Sequence, residues 1–157
     1  MRIKGIAHAA VIVKDLEEEM IPFVKDFLGL KQLSEPRTPV YDADNARALG
    51  VPGAMVKSAM FEVSPGHWLE LLEYEAPPSP VEKPLPQNAV GAHHVAFTVE
   101  DIHAWAEKLN AAGYRCFSEP RMNRGGFYDG TWWMYFEGPG GIVFELMEPP
   151  EGSHSTL

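Results

Sequence analysis

Two stretches decide the fold: His8-Ala-Ala-Val-Ile-Val-Lys-Asp15 and His94-Val-Ala-Phe-Thr-Val-Glu-Asp101. Each opens on a histidine, runs through residues that favour strands, and closes on a polar residue followed by aspartate. Each is answered later by an apolar run broken by a glutamate, Leu69-Glu70-Leu71-Leu72-Glu73 in the first half and Phe144-Glu145-Leu146-Met147-Glu148 in the second. The chain is therefore read as a duplicated module, with the same strand signals in the same order in both halves.

The first strand is expected over Ile6 to Val13 and its copy over His94 to Val99, and alternation along a strand places every second residue on one face. His8 then shares a face with Ala10 and Ile12, while Ala9, Val11 and Val13 turn toward a covering helix. In the second copy His94 shares a face with Ala96 and Thr98, and Phe97 and Val99 turn the other way. Glu70 falls on the face of Trp68, Leu72 and Tyr74, and Glu145 on that of Val143 and Met147.

Around these strands the rest of the module can be drawn. Asp15 is a candidate N-cap with Glu18 completing a capping box, and Leu16, Met20, Phe23, Val24 and Phe27 recur at helical spacing. Pro22 interrupts that helix, which must kink or restart there, and Gly29 ends it. A short strand over Leu30 to Glu35 precedes a turn-rich segment, Arg37 to Gly53, in which Asp42-Ala-Asp-Asn-Ala-Arg-Ala-Leu49 forms one short helix before Gly50. Strands over Val56 to Val63 and His67 to Tyr74, joined by Ser64-Pro65-Gly66, form a hairpin. The second half repeats the order. It has a strand from His94, a helix capped by Asp101 with Ile102, Trp105, Ala106 and Leu109 on one side, and a short strand over Tyr114 to Ser118. A glycine-rich loop follows from Pro120 to Gly130, and then strands over Thr131 to Phe136 and Ile142 to Glu148.

The expected architecture is α+β, with two tandem βαβββ modules in one domain: residues 3–75, a stiff proline-rich linker over 76–91, residues 92–148, and a flexible polar tail over 149–157. The two open sheets are expected to close on one another with the active site between them.

At 157 residues the chain is long enough for one domain with a full core. Its single cysteine, Cys116, cannot bridge internally, and the opening residues carry no secretory pattern, so a cytoplasmic setting is expected. No run is long enough to span a membrane. The net charge of −9 argues against nucleic acid and anionic lipid as partners, leaving small molecules or proteins.

The chemistry lies in the repeat-matched residues. Taken singly, a histidine or glutamate in a half-solvated strand is ordinary. Two imidazoles and two carboxylates at matched places of a duplication, each carboxylate set among large apolar neighbours, form a mixed nitrogen and oxygen donor set for one divalent metal: His8, Glu70, His94 and Glu145. Trp68, Tyr128 and Trp133 are candidates for an aromatic substrate pocket, and Arg121 and Arg124 for a local anion contact. Arg37 to Gly53 and Pro120 to Gly130 are candidate lids.

On the paired His-x-x-x-x-Val-x-Asp starts, Phe27-Leu-Gly-Leu30, Gly91-Ala-His-His-Val95 and Gly138-Pro-Gly-Gly-Ile-Val-Phe-Glu-Leu146, the chain resembles the vicinal oxygen chelate superfamily. That superfamily includes glyoxalase I, methylmalonyl-CoA epimerase, extradiol dioxygenases and fosfomycin or bleomycin resistance proteins. The resemblance implies a U-shaped mixed sheet around one divalent ion (Ni, Co, Zn, Mn or Fe), held by the same four residues, and a homodimer. Four occupied ligand positions look more like the glyoxalase and epimerase branches, so the implied reaction is proton transfer beside a chelated carbonyl by a lyase or isomerase through an enediolate. Glu145 is the implied base, with Glu70 its alternative by pseudo-symmetry. The other readings are an Fe(II) ring-cleaving dioxygenase and a non-catalytic binding protein of the resistance type.

Overall fold

Val11 and Val13 are buried while Ala10 and Ile12 face outward, the alternation of a strand covered on one side only. The computed structural model describes residues 1–37 and 41–153. The chain divides into two units, Met1–Lys83 and Pro84–Leu157.

In the first unit, β1 (Ala9–Val13) lies parallel to β4 (His67–Ala76), which pairs antiparallel with β3 (Met55–Ser64), which in turn pairs with β2 (Lys31–Gln32). The sheet order is β1-β4-β3-β2. In the second unit, β5 (Val95–Thr98) lies parallel to β9 (Val143–Glu148), followed by β8 (Trp132–Glu137) and β6 (Arg115–Cys116), in the order β5-β9-β8-β6. The two orders are the same, so the α+β reading and the duplication both hold.

The covering helices explain which face is dry. Leu16, Met20, Phe23 and Val24 are buried above the first sheet with Ala59, Phe61, Leu69 and Leu71. In the second unit Ile102, Ala106 and Leu109 of α2 (Ile102–Ala111; α1 is Ala43–Ala48, capped by Asp42) are buried, as are Met134, Phe136, Phe144 and Leu146. Phe144 stacks between Phe97 and Phe136, at 5.9 and 5.6 Å between ring centroids. Burying side chains of this size contributes roughly 1.5–3 kcal/mol each.

Three expectations are corrected. The first strand begins at Ala9 rather than Ile6, and Ile6 is 87% exposed. The register Ala9↔Leu69 leaves only His67 and Trp68 of β4 ahead of it, so residues before Ala7 have no partner strand. The first helix is not α-helical. Leu16–Met20 and Phe23–Phe27 are two π-helical turns in which Met20 N–H donates to Asp15 O (3.2 Å) and Leu28 N–H to Phe23 O (2.9 Å). Pro22 lies between the turns and lacks the N–H that would carry a continuous ladder across them. The glycine-rich loop also contains a short strand, β7 (Arg121–Met122), paired with Trp133 and Trp132 of β8.

Gly130 closes that loop at φ +79°, where a Cβ would stand 2.9 Å from Pro150 Cγ, so only glycine fits without a shift. Residues 38–40, within the first candidate lid, and 154–157, within the expected tail, lie outside the described residues. Among the described residues no helix is long and apolar enough to cross a membrane.

Candidate metal-binding pairs

Each unit brings one histidine and one glutamate together. In the first, Glu70 is set by the register Ala10↔Glu70, and His8, two residues before Ala10, shares its face. His8 Nε2 stands 3.2 Å from Glu70 Oε2, with the side chains 41% and 21% exposed. In the second, Ala96↔Glu145 is the corresponding pair, and His94 Nε2 stands 3.0 Å from Glu145 Oε2, with side chains 34% and 11% exposed.

The two pairs differ in their surroundings. Glu145 and Thr131 are the buried polar residues among those described, and burial raises the Glu145 carboxyl above the ordinary carboxylate range. His94 and a hydrogen bond from the Tyr135 hydroxyl oppose that rise without cancelling it. The Tyr135 phenol is itself pushed up, by burial first and then by the Glu145 charge. Tyr135 reaches the pair because it lies directly opposite Glu145 in the β8–β9 register. Its hydroxyl is 3.5 Å from His94 Nε2 and its ring meets the imidazole edge-on at 5.0 Å.

Tyr135 was not singled out by sequence reasoning. Alternation put it on the face of Trp133, but only the cross-strand register places it against Glu145. The register also assigns Glu73 and Glu148, each three residues beyond a paired glutamate. Glu73 accepts the Leu16 N–H at 2.9 Å, and Glu148 accepts the Asp101 and Ile102 N–H groups at 3.0 Å each, so these carboxylates hold helix starts.

The candidate substrate residues divide. Trp133 lies on the Glu145 face, edge-on to Tyr135 at 5.5 Å, and Arg121 is its neighbour across β7–β8. Trp68 is 41% exposed on the Glu70 face. Tyr128 packs against Phe127 at 4.9 Å in the loop after β7, and Arg124 is exposed there, so neither is brought to a pair.

Among the described residues no group of three or more His, Cys, Asp or Glu side chains is gathered where it could hold a metal; ligand-type residues stand as two pairs, one in each unit. The chemistry of each pair fits a divalent ion all the same. An imidazole nitrogen and a carboxylate oxygen converge on one sheet face, and the buried Glu145 is the kind of carboxylate that a cation would stabilise.

A family model described as the glyoxalase/bleomycin resistance protein/dioxygenase superfamily matches residues 5–146. A curated relative from Actinomyces sp., named 2-epi-5-epi-valiolone epimerase, is 34% identical over 155 residues, covering 95% of this chain and 81% of the relative. Among solved structures, a glyoxalase family protein from Bacillus cereus superposes with a TM-score of 0.79 at 25% identity, covering 95% of this chain and 96% of its own. The fosfomycin resistance protein FosX from Listeria monocytogenes, solved with Mn(II) and sulfate, has the same fold at a TM-score of 0.56 and 19% identity, over 94% of this chain and 93% of its own. With the duplicated module and its two His–Glu pairs, these matches establish that the chain belongs to the glyoxalase/bleomycin resistance protein/dioxygenase superfamily.

Proposed function

We propose that this chain is a divalent-metal-dependent epimerase acting at the carbon beside a ketone. The His94–Glu145 pair carries the reading, because it sets a carboxylate of raised pKa beside an imidazole and a phenol. The relative named as an epimerase of a valiolone, itself a ketone by name, supports the choice of reaction within the superfamily.

The ligand set proposed is His8, Glu70, His94 and Glu145, for about one ion per subunit drawn from Ni, Co, Zn, Mn or Fe. When bound, the ion supplies positive charge for the oxygen on which negative charge develops.

Epimerisation breaks one C–H bond beside the carbonyl, moves its electron pair toward the oxygen, and re-forms a C–H bond on the opposite face of the same carbon. Glu145 is the proposed proton carrier. A carboxylate raised by burial is a better match for proton exchange near neutral pH than a fully solvated one. Glu70 is the second carboxylate able to take or return the proton. Trp133 and Trp68, on the same faces as the two glutamates, are proposed substrate contacts, with Arg121 beside Trp133. Tyr128 and Arg124 would reach substrate only from their loop. The chain is further proposed to work as a homodimer, which sedimentation tests.

The deciding experiment incubates metal-loaded protein with 2-epi-5-epi-valiolone in D2O under anaerobic conditions. The expected result is deuterium at the carbon beside the carbonyl together with an epimeric product, both lost in Glu145→Gln. Oxygen uptake by the Fe(II)-loaded protein with a catechol, and no exchange with the ketone, would replace this reading with ring cleavage.

A further inference from the structure

Glu70 and Glu145 occupy matched places in the two modules, but the residues directly across the sheet from them do not match. Glu70 faces Met60 and Glu145 faces Tyr135. A methionine thioether has no hydrogen to donate, whereas a phenol donates one. The Glu145 carboxylate is therefore flanked by His94 at 3.0 Å and, directly across the sheet, by Tyr135, whose hydroxyl stands 3.5 Å from the same His94 Nε2, while opposite Glu70 there is no donor to match the phenol.

Tyr135 is itself held. Its ring is braced edge-on by Trp133 at 5.5 Å, tilted against Phe117 at 6.4 Å and edge-on to His94 at 5.0 Å. The Arg115 guanidinium lies over Phe117 at 4.6 Å and is tied to Glu137 at 2.7 Å, so a chain of packed groups runs from the edge strand β6 to the hydroxyl. A side chain fixed this way loses little further freedom in making its hydrogen bonds, and the carboxylate it meets is confined to one orientation.

We infer that Tyr135 is a positioning residue that fixes the Glu145 carboxylate and the His94 ring, making the second-half pair the rigid one and the His8–Glu70 pair the adaptable one. This inference rests on the proposed function for the role of Glu145, but not for the hydrogen bonds themselves. It explains how two carboxylates related by duplication can hold different roles: the one that must meet a C–H at fixed distance is clamped, and its counterpart is left free to adjust.

The test compares Tyr135→Phe, which keeps the ring and removes only the hydroxyl, with Met60→Leu at the matched place in the other half. In metal-free protein, long-range proton–nitrogen NMR of the histidine rings is expected to show His94 shifted in Tyr135→Phe and His8 unchanged, with both unchanged in Met60→Leu. With Co(II) as the metal probe, Tyr135→Phe should weaken binding by about 10-fold, the lower end of what loss of a supporting hydrogen bond to a metal ligand costs, and should alter the visible absorption spectrum. In the epimerase assay kcat should fall by about 10-fold with KM unchanged. An unmoved His94 resonance with an unmoved Co(II) spectrum overturns the inference, as does an equal change caused by Met60→Leu. Should the wild type bind no Co(II), the proposed function fails, and the histidine spectra still decide the role of Tyr135.

Discussion

Glu148 accepts the backbone N–H of Ile102 at 3.0 Å, so a carboxylate at the end of β9 caps the start of α2 from 46 residues away. The same carboxylate accepts Asp101 N–H, and Glu73 does the corresponding work for Leu16. These glutamates lie three residues beyond Glu145 and Glu70, and that odd spacing along a strand turns them to the opposite face. Glu148→Ala should cost about 1–3 kcal/mol of stability by leaving two helix-end donors unpaired, with Glu148→Gln costing less. Urea unfolding measures both, and metal content should stay unchanged in both. Loss of metal without loss of stability would mean that Glu148 belongs to the pair rather than to the cap.

Glu145→Gln should stabilise the metal-free protein at neutral pH. Burial raises the folded-state pKa of Glu145 above the ordinary 4.5, so its favourable contribution is present in full below the unfolded pKa and is lost as pH rises through the folded one. Wild-type protein in chelator should therefore lose stability relative to Glu145→Gln as pH is raised from 4 toward neutrality. A difference that moves the other way across that range would show that His94 and Tyr135 outweigh burial.

Glu137 has the opposite sign. Its hydrogen bonds from Arg115, at 3.0 and 2.7 Å, hold its carboxyl below the ordinary range, so its contribution is present above the unfolded pKa and fades as pH falls through the lowered folded one. Arg115 is largely exposed and Glu137 about one third so, and the effect should therefore be small and sensitive to salt. Glu137→Gln should flatten the acid side of the stability profile in low salt and change little in high salt.

Much of the fold can be read from His8-Ala-Ala-Val-Ile-Val and its copy at His94, because a strand covered on one side writes its alternation directly into the residues. The Ser64-Pro65-Gly66 turn and the Asp15 and Asp101 caps are equally local, and all appear where expected. Features that depend on a partner strand are not legible in this way. The start of β1 is set by where β4 runs out, β7 exists because Trp132 and Trp133 offer it an edge, and Tyr135 meets Glu145 only through the β8–β9 register, whose offset the Gly138-Pro-Gly-Gly141 turn does not spell out. The π-helical turns around Pro22 follow from hydrogen bonds five residues apart, which the apolar spacing alone does not distinguish from an α-helix.

Metal binding should need both histidines and both glutamates of the proposed ligand set. Wild-type protein loaded with Co(II) or Mn(II) should hold about one ion per subunit, and His8→Ala combined with Glu145→Ala should remove it, as read by elemental analysis. Affinity should rise with pH, because neutral imidazole and ionised carboxylate are the binding forms and protons are released on loading. Stoichiometric metal in the double variant would assign the ion to other residues.

The final prediction separates substrate contact from metal binding on the second sheet. Trp133 and Tyr135 alternate on the Glu145 face of β8, and Arg121 stands opposite Trp133 on β7. An aromatic face beside a guanidinium suits a ring that carries oxygen substituents, the apolar surface of the ring against the indole and an oxygen toward the arginine. Neither side chain belongs to a His–Glu pair, so Arg121→Gln should leave metal affinity intact, and Trp133→Leu, which removes only the brace on Tyr135, should lower it less than Tyr135→Phe does. If they contact substrate, each should raise KM by about 10-fold, the equivalent of roughly 1.4 kcal/mol of binding, with kcat changed less. Should KM stay at its wild-type value in both variants while kcat also holds, this face of the sheet contacts no substrate and the recognition surface must be sought on the Glu70 face, beginning with Trp68.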